Sequence, residues 1–138
     1  MSRNTRTGKI FEATILPALE SSGYIVDVQQ TIGTRPNGSR HIVDSIVSDT
    51  SGRRVLVSLK WQQTSGTAEQ KVPYEVLCLA DAVGSGEFEL AYLVLGGEGW
   101  TLRKFFVEGG LDPYLNNCEN VKIIRFEAFL TKVMKGEL

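Results

Sequence analysis

The run Arg53-Arg54-Val55-Leu56-Val57-Ser58-Leu59-Lys60-Trp61-Gln62-Gln63 restricts the fold more than any other part of this chain. Val55, Val57, Leu59 and Trp61 alternate on one face of an extended segment, and Leu56, Ser58, Lys60 and Gln62 take the other. Most of the strand reads as core, yet it ends in a charge. A lysine beside apolar surface ordinarily lays its stem along that surface and keeps its ammonium in water. The segments on either side give Lys60 a second reading.

Arg40-His41-Ile42-Val43-Asp44 reads as the preceding strand, joined to the lysine strand by an Asp49-Thr50-Ser51-Gly52 turn, so Asp44 and Lys60 fall on neighbouring strands. Residues 24–32 alternate as an earlier strand, and the Asn37-Gly38 pair marks a tight turn between it and the next. The result is a meander over about residues 24–32, 40–48 and 53–62. Ahead of it, Thr7 can cap a helix over residues 7–22 with Phe11, Ile15 and Leu19 on one face, and Pro17 predicts a bend or break at residues 13–17.

After the lysine strand comes a polar loop and then an apolar helix through Val76, Leu77, Leu79, Ala80 and Val83 to Gly84. Pro73 leaves two starts open for it: near Gln70, or after a short turn at residues 67–71. Residues 88–95 are almost continuously apolar, which predicts a central strand. Because a helix separates it from the lysine strand, a crossover, a parallel pairing and a mixed sheet are expected. A helix over residues 100–108, a short strand over 121–126 and an amphipathic helix over 127–135 complete the order. This is one domain over residues 1–138, of α/β class bordering on α+β.

An aspartate and a lysine on adjacent strands, with another carboxylate nearby, suit a metal-dependent hydrolase: carboxylates hold Mg²⁺, and the lysine positions water and offsets phosphate charge. Asp44 followed by Ser58-Leu59-Lys60 resembles the PD-(D/E)XK nuclease superfamily, whose signature is an aspartate and then an acidic-x-lysine tripeptide on the next strand. The chain departs from that pattern at Val43, where the signature has proline, and at Ser58, where it has an acid. Some restriction enzymes of the superfamily carry Ser-x-Lys with a glutamate supplied by the following helix, and Glu75 follows Lys60 with fourteen residues between. Gln70 and Tyr74 are similar to a Gln-x-x-x-Tyr on the same helix in exonuclease-type and resolvase-type members.

The resemblance implies a restriction endonuclease-like core of helix, three strands, helix and strand, with C-terminal helices added. It implies that Asp44, Glu75 and the carbonyl of Leu59 ligate Mg²⁺, with Mn²⁺ able to substitute, and that Lys60 orients the attacking water. Glu12 on the first helix is a candidate supporting ligand or an ordinary first-turn acid. Gln62, on the lysine's face, is a candidate partner of substrate or water. Glu69 is the rival to Glu75; six residues apart on one helix they point about 120° apart, so only one can serve, and the spacing favours Glu75. The implied substrate is DNA, cut by an endonuclease of restriction, homing, phage or resolvase type. The alternative is a catalytically silent DNA-binding or assembly module that lost its acid at position 58.

Charge and composition exclude other classes. A net charge of −1 argues against coating nucleic acid through bulk positive charge. Arg3, Arg6, Lys9, Arg35, Arg40, Arg53 and Arg54 all lie in the first half, as either a solvated surface or a DNA-facing patch. His41 is the only histidine, which leaves no zinc site of several histidines, and no Gly-x-Ser-x-Gly elbow accompanies it. Trp61, Tyr74 and Trp100 form no patterned strip and read as core. Cys78 and Cys118 form no disulfide framework, and no apolar run approaches the roughly 18 residues of a membrane span, so a cytoplasmic setting is expected. Leu77, Leu79, Phe105, Phe106, Phe129 and Leu130 exceed what one small domain requires, which predicts a homodimer or higher oligomer.

Overall fold

The computed structural model describes residues 5–138. Its strands are β1 (Ile25–Thr34), β2 (Arg40–Ser48), β3 (Arg54–Trp61), β4 (Leu90–Gly96) and β5 (Val121–Arg125). They form one sheet in the order β1-β2-β3-β4-β5, antiparallel across the first three and parallel from β3 to β5. The sheet is therefore mixed, and both parallel pairings follow from helical crossovers. The helices are α1 (Thr5–Ile10), α2 (Leu16–Ser21), α3 (Ala68–Gly84), α4 (Arg103–Val107) and α5 (Phe126–Met134). Among the described residues no helix is long and apolar enough to cross a membrane.

Alternation along β3 splits the core between the two faces of the sheet. Val55, Val57 and Leu59 meet Phe11, Ile15 and Leu19 of the N-terminal helices and Phe129 and Val133 of α5. On the other face Leu56 and Leu93 meet Val72, Val76, Leu79 and Val83 of α3, together with Phe106. Each fully buried side chain of this size contributes about 1.5–3 kcal/mol by leaving water. Leu79, Phe106 and Phe129 are spent in these cores, so the apolar excess expected for an oligomer reduces to Leu77 and Phe105, the exposed members of that set.

The N-terminal helix changes pitch just before Pro17, in the region where that proline predicts a bend or break. Between α1 and α2, residues Phe11–Ile15 form a π turn in which the N–H of Leu16 reaches back five residues to the carbonyl of Phe11. Pro17 then occupies the first turn of α2, where its missing N–H costs little. Two expected elements differ in extent. Helix α3 begins at Ala68 and carries Pro73 inside it. The helix expected over residues 100–108 shortens to α4, because Gly97 and Gly99 press against the backbone of Gln62 and Thr64 and hold residues 97–100 as a loop. A Cβ on Gly97 would stand 2.3 Å from the carbonyl oxygen of Gln62, and one on Gly99 would stand 2.4 Å from a backbone carbon of Thr64.

Candidate active site

Strand β2 changes its facing at Asp44. Ile46 and Val43, three residues apart, both enter the core beneath α3, whereas Val47 enters the opposite core. Strict alternation would put Val43 and Val47 on one side. The strand pairings skip Asp44 on both flanks: β1 pairs Val28 with Ser45 and Gln30 with Val43, and the β2–β3 ladder ends at Ser45 and Val57. Gln29, between the two β1 partners, has φ +52°. A local irregularity of this kind re-aims a side chain, as β-bulges do. Asp44 Oδ2 accepts the N–H of Leu59 at 2.6 Å, so a carboxylate takes a bond that regular pairing would give to main chain.

The next residue back along β3 meets the other acid. Ser58 Oγ donates to Glu75 Oε2 at 2.9 Å. Glu75 is 9% exposed and sits on the face of α3 that buries Val72, Val76 and Leu79. The carboxylates of Asp44 and Glu75 are thus anchored on consecutive residues of β3, one through a backbone N–H and one through a hydroxyl. Each carboxylate has about four lone-pair sites, so the hydrogen bond to Leu59 or Ser58 does not by itself exhaust its capacity to accept. Lys60, two residues past Ser58, emerges on the same face of the sheet near its open end.

His41, read from the sequence only as a lone histidine, lies close enough to Glu75 and Lys60 to feel their charges. It is 1% exposed, and among the described residues its Nε2 has no hydrogen-bond partner. Burial pushes its pKa below the ordinary value of 6.5; the charge of Glu75 opposes this, Arg35 and Lys60 reinforce it, and Asp81 opposes it. The imidazole is therefore a neutral neighbour of Glu75 and Lys60.

Other candidates take different places. Glu69 turns away from Glu75: its oxygens accept the N–H of Thr101 at 2.7 Å, the hydroxyl of Thr101 at 2.6 Å and the N–H of Leu102. Burial raises its pKa, but these hydrogen bonds outweigh burial and the net shift is downward. Gln62, a candidate partner of substrate or water, acts in this structure as a clasp. Its Oε1 accepts the N–H of Ala68 at 3.0 Å and its Nε2 donates to the carbonyl of Gly99 at 2.8 Å, because the β3 strand has already ended at Trp61 and the chain turns into the α3 loop. Glu12 lies exposed in the π turn, whose buried side chains Phe11 and Ile15 serve the opposite core. Among the described residues no group of three or more histidine, cysteine or acidic side chains is arranged to hold a metal. Gln70 and Tyr74 are exposed, on a side of α3 away from buried Glu75.

The basic residues of the first half also disperse. Arg53 pairs with Glu89 and the carbonyl of Leu138, and Arg54 lies over the ring of Phe88 at 4.9 Å, at the end of β3 opposite Lys60. Arg35 donates to the carbonyl of Arg40 and shapes the hairpin turn. Arg6 and Lys9 line a cleft beside Trp61. Arg3 lies outside the described residues.

A family model for the PD-(D/E)XK nuclease superfamily domain matches residues 3–136. The chain belongs to the PD-(D/E)XK nuclease superfamily. Its mixed five-stranded sheet with helices on both faces is the restriction endonuclease-like fold. Two solved structures resemble it. One is a protein of unknown function, with a TM-score of 0.49 and 14% identity over 82% of this chain and 55% of that one. The other is a repair endonuclease from Pyrococcus abyssi, with a TM-score of 0.42 and 18% identity over 91% of this chain and 48% of that one. The chain spans about half the length of each. No curated protein matches it. Nucleases of this superfamily generally use divalent metal ions.

The position of Glu69 gives a prediction. Glu69→Ala is expected to cost about 0.5–1 kcal/mol of stability, since the N–H groups of Thr101 and Leu102 lose their acceptor but are exposed enough for water to replace it. In the unaltered protein the same contribution should be complete above the ordinary pKa of 4.5 and should disappear as pH falls through the lower folded value. Urea unfolding of both proteins at neutral pH and below pH 4.5 checks this: the difference between them should shrink in acid.

Proposed function

We propose that this domain is a Mg²⁺-dependent DNA endonuclease, with Mn²⁺ able to substitute, and that its acidic ligand has moved from β3 to α3. The observation that carries this reading is the Ser58–Glu75 hydrogen bond. It brings a helix carboxylate to the β3 position where the superfamily signature has its acid, next to the residue that anchors Asp44.

Asp44, Glu75 and the carbonyl of Leu59 fit a divalent ion as a donor set. Mg²⁺ is commonly held by one or two carboxylates, with water and substrate phosphate filling the remaining positions. When bound, the ion supplies positive charge against the phosphate and lowers the pKa of water, effects worth several kcal/mol of barrier. The chain's own groups do the rest. Lys60 places an ammonium beside the phosphate and orients the attacking water. Ser58 holds the carboxylate of Glu75 in one orientation, and the N–H of Leu59 does the same for Asp44. Neutral His41 and the apolar side chains beneath α3 keep bulk water from behind the two acids.

Supercoiled plasmid, branched DNA and linear duplex incubated with Mg²⁺ or Mn²⁺ test the reading. Nicked or cut product should appear with metal, disappear with EDTA, and fall by about 10²-fold or more in Lys60→Ala. Absence of metal-dependent product on every substrate would instead favour a silent DNA-binding module. A dimer is proposed for cutting both strands, since one such site hydrolyses one phosphodiester at a time.

A further inference from the structure

Glu75 comes down from α3 onto the sheet, where Ser58 of β3 holds it by a hydroxyl. His41 stands on the neighbouring strand. From Arg40 to Val43 the extra residue of the irregular β1–β2 pairing lies on β1, so β2 itself stays regular and His41 shares a side with Val43. Val43 packs beneath α3 with Val72, Val76 and Leu79, which puts the imidazole on the face of the sheet that Glu75 meets. The ring is 1% exposed, and among the described residues its Nε2 has no hydrogen-bond partner. Native structures leave few buried polar atoms in that state, and a bound water or a working role is the usual reason. The charges that act on the ring are those of Glu75, Arg35, Asp81 and Lys60. Asp81 is exposed, Lys60 is half-buried, and Arg35 donates to the carbonyl of Arg40. Glu75, 9% exposed, is the buried acid among them.

We infer that His41 is a positioning residue for Glu75: its Nε2–H donates to a bound water, and that water donates to the Glu75 carboxylate. A neutral imidazole has one donor and one acceptor nitrogen, and its surroundings select which is which. The negative charge of Glu75 favours the proton on Nε2, because the positive end of the N–H dipole then points toward the acid. A buried water needs two to four polar partners, and the imidazole, the carboxylate and the Ser58 hydroxyl supply them. Such a bridge is enthalpically nearly as good as a direct hydrogen bond. The helix acid is then held from two adjacent strands, by Ser58 of β3 and by His41 of β2, and its carboxylate keeps one orientation. The inference rests on the nuclease reading for the role of Glu75 as a ligand, but the state of the imidazole can be read without metal.

His41 is the only histidine, so a long-range ¹⁵N–¹H spectrum of the untagged full chain in EDTA shows one imidazole. At neutral pH the expected ring is neutral and protonated at Nε2, and its Nε2 resonance should move in Glu75→Gln. A proton on Nδ1, or no change in Glu75→Gln, overturns the proposal. Calorimetric Mn²⁺ titration is the second arm. His41→Phe keeps a ring in place without a donor and should weaken Mn²⁺ binding by about 10–100-fold, as loss of a group that orients a metal ligand does. Its urea midpoint should stay level or rise, because an apolar ring needs no partner. His41→Gln carries a donor on a side chain of similar reach and should recover all but about threefold of the affinity. Unchanged Mn²⁺ affinity in folded His41→Phe, or a loss that His41→Gln does not recover, would reduce His41 to core filling. If His41→Phe does not fold, the imidazole spectrum decides alone. Metal-dependent plasmid nicking by the unaltered protein with the proton on Nδ1 would sink the His41 link and leave the nuclease reading intact. An Nε2 proton that responds to Glu75→Gln, in a protein that neither binds Mn²⁺ nor nicks plasmid, would do the reverse.

Discussion

Glu75→Ala is expected to reduce metal-dependent cleavage by about 10²-fold or more, and adding Ser58→Glu to that variant is expected to restore part of the loss. Without Glu75, Asp44 would be the one carboxylate left at the proposed centre. Ser58 Oγ and Glu75 Oε2 are 2.9 Å apart, so a glutamate on β3 would return a carboxylate to the neighbourhood vacated on α3. Ser58→Glu alone should behave differently. Ser58 is 5% exposed and Glu75 9%, so two buried carboxylates would repel, and one would have to take up a proton or force the elements apart. Loss of stability at neutral pH is expected in the single variant, with recovery in the double one. Calorimetric Mn²⁺ titration beside plasmid nicking separates binding from chemistry. Metal binding and cleavage that survive Glu75→Ala unchanged would end the migrated-acid reading, whereas loss in Glu69→Ala alone would mean that the other helix acid carries the site.

Phe129→Ala is expected to destabilise the domain by about 3–5 kcal/mol. Phe129 is fully buried, meets the ring of Tyr92 at 5.4 Å and 63°, and joins α5 to Ile15 and Leu19 beneath the sheet. Truncation leaves a cavity bounded by three separate elements, which cannot all collapse into it. For a chain of this length the loss corresponds to a fall of about 10–15 °C in Tm. A thermal scan with metal removed reads it directly, and a shift of less than about 3 °C would mean that α5 is not structurally committed to this core. The candidate site side chains lie under α3 on the other face, so metal affinity measured well below the new Tm should change little.

Much of the strand and helix order was legible in the residues because short-range physics sets it. Alternation in residues 53–63 and the near-continuous apolar run before Gly96 define β3 and β4, and the intervening apolar helix requires a parallel crossover. Pro17 located the break in the first helix, since a residue without an N–H must sit where that donor is dispensable. Order and spacing also nominated Asp44, Lys60 and Glu75 as candidates, because a superfamily signature is a pattern along the chain.

Tertiary structure decided how these residues meet. Nothing local to Asp44 announces that β2 changes its facing there, since the irregularity depends on how β1 and β3 pair with it on either side. Glu69 and Glu75 have similar sequence surroundings; what parts them is the Thr101–Leu102 segment, thirty-odd residues away, which supplies donors to one and not the other. Gln62 shares a parity with Lys60, yet β3 ends between them and its amide goes to Ala68 and Gly99. His41 became a neighbour of Glu75 and Lys60 only once the sheet and α3 had packed together. The chain's periodicity determines which elements form and which face is apolar. Which polar side chain finds which partner depends on donors and acceptors far apart in sequence, brought together only once the two cores have closed.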